Sequence, residues 1–210
     1  ISPNYHQANI LGLALTDQKN TYYIEPNLIE SILPLLNGKT LLTFDLKKNK
    51  VALNKLNLQL PKVNYDLMLA SYFLKYNIKD DIAYLMKPEG YDVPFYEEFI
   101  SEKEIDKEKL AKEIALKSKY ILDTKEKYCA SLRKEESLDL FENIEMPLVE
   151  VLASMESTGV KVDKSVLEEM KEELKVKIDA IASDIYNLVG EEFNIASTKQ
   201  LGEILFIKLE

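Results

Sequence analysis

The sequence has few of the residues that build metal and disulfide sites. Its 210 residues include one cysteine, Cys129, one histidine, His6, and no tryptophan. A single cysteine excludes an intrachain disulfide framework and favours a reducing compartment. One cysteine and one histidine are also too few for a Cys/His metal site.

Long apolar runs are absent as well. No segment approaches the ~18 consecutive apolar residues of a membrane span, and no secretory signal is visible. With 46% hydrophobic and 30% charged residues, the composition is typical of a soluble globular protein, and we expect it in the cytoplasm. The first residue is Ile1 rather than methionine, so we expect a truncated or proteolysed start.

A basic excess is missing too. The formal net charge is −9, and residues 143–210 contribute −7 of it through 14 acidic and 7 basic side chains. This balance argues against a self-sufficient nucleic-acid binder. Four lysines cluster locally between residues 44 and 56, and they fit either a solvated helix face or a phosphate-contacting patch: Lys47, Lys48, Lys50 and Lys55.

The first 142 residues alternate between strand and helix patterns. Two short apolar runs, 9–16 and 20–26, bracket the turn sequence DQKN and predict a β-hairpin. A strand is predicted over 39–45, and a loop-rich segment over 78–101 carries Pro88, Gly90 and Pro94. Helices are predicted over 26–38, 47–58, 65–77 and 101–136, with Asp66 as the N-cap of the third. The pattern indicates an α/β domain over residues 1–142.

The remaining residues form an unusual joint. The stretch IEMPLVEVLASMESTG predicts a helix that begins near Pro147 and ends at Gly159. VKVD, residues 160–163, alternates like a strand, and Asp163 then caps a long helix over 164–189. Ser197 is predicted to cap a last helix, whose apolar side chains have no evident partner: Leu201, Ile204, Leu205 and Leu209.

Familiar catalytic motifs are not found. The sequence contains no phosphate-binding loop, no nucleophile elbow and no HExxH. The residues alone therefore predict an α/β domain joined to a helical one, without a function.

Two longer stretches carry a resemblance. ENIEMPLVEVLASMESTGVKVD and IYNLVGEEFNIASTKQLGEILFIKLE resemble the start of the polymerase domain of bacterial family A DNA polymerases, in the Bacillus-type branch. Upstream, NYHQANILGLAL, TFDLKKNKVALNKLNLQL and YDLMLASYFL resemble the 3′–5′ exonuclease-like domain of that family. The resemblance covers the whole chain.

The resemblance implies an architecture and partners. It implies an RNase H-like α/β domain over 1–142, with a mixed sheet and flanking helices. Residues 143–210 would then supply helices and one strand of the polymerase palm and thumb. The whole enzyme would use Mg²⁺ and primer-template DNA near the nucleoid, and the rest of the polymerase domain would pack on the C-terminal helices. We expect no cofactor or metal in this segment and no membrane partner.

The resemblance also implies that the exonuclease site is vestigial. Exonuclease chemistry needs about four carboxylates that hold two divalent metal ions. The first acidic motif of active relatives would precede Ile1, and the second falls on Asn49, between Lys48 and Lys50. The third falls on Lys112 and Leu116. Asp45 and Asp123 are nearby acids out of register, so no catalytic or metal-binding residue is predicted.

Contact with DNA is implied at one turn only. Asn194, Ser197, Thr198 and Lys199 match a family stretch that lies along the duplex backbone, while Ala196 departs from the usual asparagine. The polymerase carboxylates would lie beyond Glu210. Two alternatives stay open: an active exonuclease with displaced carboxylates, and a protein-interaction module that uses the acidic helix 164–189.

Overall fold

The computed structural model describes residues 5–100 and 106–208 and divides into two compact units, Ile1–Gly159 and Val160–Glu210. The first unit ends at the close of a helix that the sequence assigns to the following domain. A compact unit need not coincide with a domain of a protein family. The predicted domain boundary at residue 142 therefore stays a prediction.

Two small sheets organise the first unit. Strands β1 (Leu13–Thr16) and β2 (Thr21–Ile24) form the predicted antiparallel hairpin, and β3 (Leu41–Thr43) pairs in parallel with β4 (Val63–Asp66). The hairpin turn is held by Asp17, whose carboxylate accepts hydrogen bonds from the amides of residues 19 and 20, both at 2.7 Å. The predicted α/β fold is thus confirmed, and its described strands lie in two separate small sheets, one antiparallel and one parallel.

Helices make up most of the chain. In order, the α-helices are α1 Ile29–Ile32, α2 Leu46–Asn54, α3 Leu67–Phe73, α4 Ala83–Met86, α5 Tyr96–Ile100, α6 Lys107–Lys134, α7 Leu138–Leu140, α8 Met146–Thr158, α9 Lys164–Val189 and α10 Thr198–Glu203. Shorter 3-10 turns cover Pro26–Leu28, Leu33–Leu36 and Lys87–Glu89, and π-helical turns cover Phe141–Glu145 and Ile204–Lys208.

The helix predicted over 26–38 is divided into short pieces. Pro34 lies in its second half, and proline lacks the backbone N–H that would continue an α-helical ladder. The helix predicted over 101–136 corresponds to α6, and residues 101–105 lie outside the described part of the chain. The loop-rich segment holds only short helices, as predicted.

Strand β4 was not predicted from the sequence. The expected helix over 65–77 begins only at Leu67, because Val63 and Tyr65 are buried on one side of a strand while Asn64 is exposed. Asp66 ends the strand and accepts a hydrogen bond from the Met68 amide at 2.8 Å, which confirms its predicted capping role. Strand β3, helix α2 and strand β4 form one βαβ unit.

Helix α6 closes the core of the first unit. It packs against β1, β2, β3 and α3, and it buries Tyr120, Tyr128 and Leu132 in the main hydrophobic cluster. Helix α8 packs on α2, so the βαβ unit lies between two helical layers.

The second unit corrects two predictions. Val160–Asp163 is not a strand: within the described residues no segment pairs with it, and a strand without a ladder partner leaves its backbone groups to water. Ile204 is buried rather than exposed, and Leu209 lies outside the described residues. The caps at Asp163 and Ser197 are confirmed, and Gly190 ends α9 at a φ of +79°.

No helix in the described part of the chain is long and apolar enough to cross a membrane.

Candidate functional site

A cleft opens at the carboxyl end of β3 in the first unit. It has a volume of about 230 Å³. Its polar lining comes from the ends of several elements: Tyr5, Asn9, Asp45, Lys48, Asn49 and Asp80. The carboxyl ends of parallel strands are where α/β proteins place ligands, so this cleft is the candidate site of the first unit.

Asp45 enters the cleft from a strained backbone. Its φ of +59° and ψ of +68° lie in the left-handed region, which non-glycine residues rarely adopt. The carboxylate accepts a hydrogen bond from the Lys48 amide at 3.1 Å and so caps α2. Burial raises the pKa of the Asp45 carboxyl, and the Lys48 amide opposes this. The Asp45 carboxylate therefore already has a structural role as the cap of α2.

Asp66 stabilises the turn at Asp45 through hydrogen bonds to the backbone. It is 1% exposed, and its two oxygens accept hydrogen bonds from three backbone amides, those of Asp45 at 3.0 Å, Leu46 at 2.7 Å and Met68 at 2.8 Å. Burial raises the pKa of Asp66 to about 6, although these amides pull it down. Sequence reasoning found only the Met68 bond, since the other two amides are distant in the chain.

Asn49 lies in α2 and lines the same cleft. Its side-chain amide donates to the Thr43 hydroxyl and to the Phe44 carbonyl, both at 2.9 Å. The side chain thus ties the first turns of α2 to the end of β3. An amide N–H group used as a donor in this way is no ligand for a hard cation.

A buried ion pair lies next to Tyr96, which lines the cleft. The Lys117 ammonium is 3.6 Å from the Asp81 carboxylate, donates to the Pro94 carbonyl at 2.9 Å and lies 4.0 Å from the Tyr96 ring centroid. Asp81 also accepts from the amides of Ala83 at 2.9 Å and Tyr96 at 2.6 Å. Burial lowers the pKa of Lys117, and Asp81 partly offsets that effect.

The sequence did not single out this pair. The positions considered on α6 were Lys112 and Leu116, of which Lys112 is exposed and Leu116 packs against the core. Asp123 is exposed as well and pairs with Lys119 at 2.6 Å. Lys117, 4% exposed, has no sequence signal, because a single lysine in a lysine-rich helix looks like any other.

The second predicted site is the turn before α10, in the second unit. The side-chain carbonyl of Asn194 accepts a hydrogen bond from the Ala196 amide at 3.1 Å. The Ser197 hydroxyl accepts a hydrogen bond from the Gln200 amide at 3.4 Å. Thr198 and Lys199 are exposed. Two of the four predicted residues thus build the turn, and the other two face solvent beside it.

The described residues offer no cluster of metal ligands. Within residues 5–100 and 106–208, no three or more His, Cys, Asp or Glu side chains are grouped so that they could hold a metal ion. Asp45, Asp66 and Asp81 each bond backbone amides instead.

Comparison with known proteins places the chain. Residues 1–103 match the family model of the ribonuclease H-like domain of DNA polymerase I. Over its full length the chain is 36% identical to DNA polymerase I of Lactococcus lactis subsp. cremoris, 35% identical to that of Geobacillus stearothermophilus and 34% identical to that of Bacillus subtilis. The chain belongs to the DNA polymerase I family. It covers 24%, 25% and 25% of these relatives, so it spans about a quarter of their length.

A solved structure supports the fold assignment. The POL domain of Pol1 from M. smegmatis, determined in complex with DNA primer-template and dNTP, aligns with 95% of this chain and 35% of its own at a TM-score of 0.73 and 23% identity. Within the DNA polymerase I family assignment, Asp45, Asn49, Asp66 and Asp81 lie inside the ribonuclease H-like match, and Lys117 lies beyond it.

Proposed function

We propose that this chain is the exonuclease-like domain and the start of the polymerase domain of a DNA-directed DNA polymerase I, and that its cleft does not cut DNA. The role of the first unit is then structural, in support of polymerisation by the longer protein. The polymerase chemistry, with its Mg²⁺ ions and its primer-template DNA, belongs to residues beyond Glu210. The whole enzyme would act in the cytoplasm, at the nucleoid.

The use already made of Asp45, Asp66 and Asp81 carries this proposal, because Asp80 is then the one other acid in the described lining of the cleft. Two-metal hydrolysis needs several carboxylates with free oxygens around two cations. Here Asp66 accepts three amides, Asp45 caps a helix, and Asp81 bonds two amides and the Lys117 ammonium. The residues of the cleft therefore do not fit a pair of divalent ions.

A nuclease assay tests the proposal. The chain is incubated with end-labelled single-stranded DNA and either Mg²⁺ or Mn²⁺, and release of 3′ nucleotides is followed on a gel. We expect no release above a protein-free control. Metal-dependent release that disappears in Asp45→Asn or Asp123→Asn would show an active exonuclease with displaced ligands and would overturn the proposal.

We further propose that the turn at Asn194 contacts the DNA backbone in the longer polymerase. The exposed Thr198 hydroxyl and Lys199 ammonium, beside the start of α10, are suitable phosphate partners. Each phosphate contact contributes about −0.9 to the slope of log affinity against log salt concentration. Removing one contact therefore makes the slope shallower by about that amount.

The matched test uses two lysines of the same unit. In the full-length polymerase, Lys199→Ala should weaken primer-template binding and reduce the salt slope by about one. Lys208→Ala should leave the slope unchanged, because Lys208 already pairs with Glu191 at 2.9 Å. Equal slopes for Lys199→Ala and the parent would contradict the contact.

The exposed face of α9 fits the same assignment. No residue of this 26-residue helix is buried. Its apolar side chains include Leu167, Met170, Leu174, Ile178, Ile181 and Leu188, each at least half exposed. We propose that the rest of the polymerase domain packs on the C-terminal helices, which removes the need for a separate protein partner.

A further inference from the structure

Two of the lysines clustered between residues 44 and 56 pair with helix α8. The Lys47 ammonium lies 2.5 Å from the Glu156 carboxylate, and the Lys50 ammonium pairs with the Glu150 carboxylate. Both acids belong to α8, which packs on α2. The sequence left open whether these lysines form a solvated helix face or a phosphate-contacting patch. The structure uses these two for contacts within the chain.

Glu156 collects three donors from distant parts of the chain. Besides Lys47, its carboxylate accepts a hydrogen bond from the Tyr5 hydroxyl, and it lies 2.9 Å from Nε2 of His6. The donors also support one another, because Lys47 donates to the Tyr5 hydroxyl at 3.3 Å and the Tyr5 ring stacks on His6 with 4.9 Å between ring centroids. Hydrogen bonds to an ionised carboxylate are roughly twice as strong as neutral ones. Glu156 therefore ties the N-terminal segment and α2 to α8.

Glu150 provides a comparison within the same helix. Its side chain is 43% exposed, and Lys50 is its one ion-pair partner in the described part of the chain. The Glu156 side chain is 22% exposed and has three partners. The Lys47 ammonium contributes most to lowering the pKa of Glu156, followed by the Tyr5 hydroxyl. The two acids thus have the same chemistry and face the same helix, but only Glu156 holds several elements together.

The position of Glu156 along the chain gives this cluster its importance. Glu156 lies three residues before Gly159, the last residue of the first unit. The Gly159 amide closes α8 by donating to the Met155 carbonyl at 2.9 Å, and Gly159 itself has a φ of +70°. Val160, which follows, is 89% exposed. The chain therefore leaves the first unit directly after the helical turn that Glu156 holds.

We propose that the Glu156 cluster, formed by Tyr5, His6, Lys47 and Glu156, is an anchor that fixes the last turn of α8 and with it the point where the chain leaves the first unit. Helix ends fray when their last turn lacks contacts to other elements. The anchor prevents such fraying at the joint between the two units. It gives the supporting role of the first unit a specific contact, and it exists whether or not the cleft cuts DNA.

Hydrogen exchange of the 210-residue chain tests the proposal. Glu156→Gln keeps the size of the side chain and removes its charge, so the amides of residues 155–159 should exchange about fivefold faster. Glu150→Gln is the matched control, because it breaks the other α2–α8 ion pair, which is more exposed. It should accelerate the same amides by less than about twofold. Amides in the middle of α9 should not change in either variant.

Two further variants identify the contacts that matter. Lys47→Met should accelerate the same amides, and the double variant Lys47→Met with Glu156→Gln should exchange no faster than Glu156→Gln alone, because both changes remove one shared contact. Tyr5→Phe removes a single donor and keeps the ring that stacks on His6. It should give a smaller acceleration, and it tests the cluster even if Glu156→Gln does not fold.

Equal acceleration in Glu150→Gln and Glu156→Gln would overturn the inference, since it would show general loosening of the contact between α2 and α8. Unchanged exchange at residues 155–159 in Glu156→Gln, or additive effects of Lys47→Met and Glu156→Gln, would overturn it as well. The measurement uses neither DNA nor metal, so its outcome is independent of the nuclease assay. An active nuclease would contradict the proposed function and leave the anchor intact.

Discussion

At the scale of single residues, Asp66 links the structure to pH. Its carboxyl pKa is raised to about 6 by burial, from an ordinary value of 3.8. The native state therefore binds the proton more tightly than the unfolded state does. The stability that this proton contributes is complete below about pH 4 and is lost as the pH rises through 6.

Replacing Asp66 by asparagine should remove the part of the pH dependence of stability that the Asp66 carboxyl causes. A difference of about two pH units between the two states corresponds to about 3 kcal/mol. Asp66→Asn should be less stable at pH 4, by about 2 kcal/mol, because an amide oxygen cannot accept all three backbone amides. The deficit should shrink as the pH rises to 7.5. Urea unfolding across this range measures it, with the exposed Asp184→Asn as the control. Parallel stability curves for Asp66→Asn and the parent would show that the carboxyl does not titrate with folding.

Lys117 is a second residue whose burial can be tested. Lys117→Met leaves the Asp81 carboxylate buried without its cation, and breaking a buried pair in this way costs about 3 kcal/mol. Lys119→Met, two positions along, removes an exposed partner of Asp123 and should change stability by less than about 0.5 kcal/mol. Equal losses in urea unfolding would contradict the assigned role of the pair.

At the scale of elements, α9 depends on its ends. Because it buries no side chain, capping and local pairs provide most of its stability in this chain. Asp163→Ala removes the carboxylate that accepts the Ser165 amide at 3.0 Å, at a cost of about 1 kcal/mol. Amide exchange in the first turn of α9 should then accelerate about fivefold. Asp179→Ala, exposed in the middle of the helix, should leave that turn unchanged, and equal acceleration in both variants would exclude a capping effect.

Elements whose signals are local could be predicted from the sequence. The hairpin followed from two apolar runs around a turn, and the caps at Asp66, Asp163 and Ser197 followed from residue type and position. Strand β4 could not be predicted, because its existence depends on pairing with β3, twenty residues earlier. The segment VKVD shows the converse, since its alternating pattern predicts a strand but no described segment pairs with it.

The candidate site was predictable only in part for the same reason. Asn49 was singled out through the family resemblance, as the position of the second acidic motif, and the structure places it in the cleft beside Asp45. Lys117 and Asp81 were missed because each is unremarkable in its own segment, and their importance comes from a contact across 36 residues of chain. Burial distinguishes them from their exposed neighbours, and burial cannot be read from the local sequence.

At the scale of the whole molecule, the exposed face of α9 tests the proposal that the rest of the polymerase domain packs on this helix. Met170 is 51% exposed here, so Met170→Glu should change the stability of the 210-residue chain by less than about 0.5 kcal/mol. If the rest of the polymerase domain covers this face, the same substitution should cost the full-length protein about 2 kcal/mol or more, because it buries an unpaired carboxylate.

Thermal unfolding of four proteins decides between these outcomes. Met170→Glu and the control Glu172→Lys, which lies about 200° further round the helix, are each introduced into both chain lengths. Only Met170→Glu in the full-length protein should lower the unfolding temperature by several degrees. Equal effects at both lengths would show that α9 stays open in the polymerase, and its apolar face would then need a partner from another molecule.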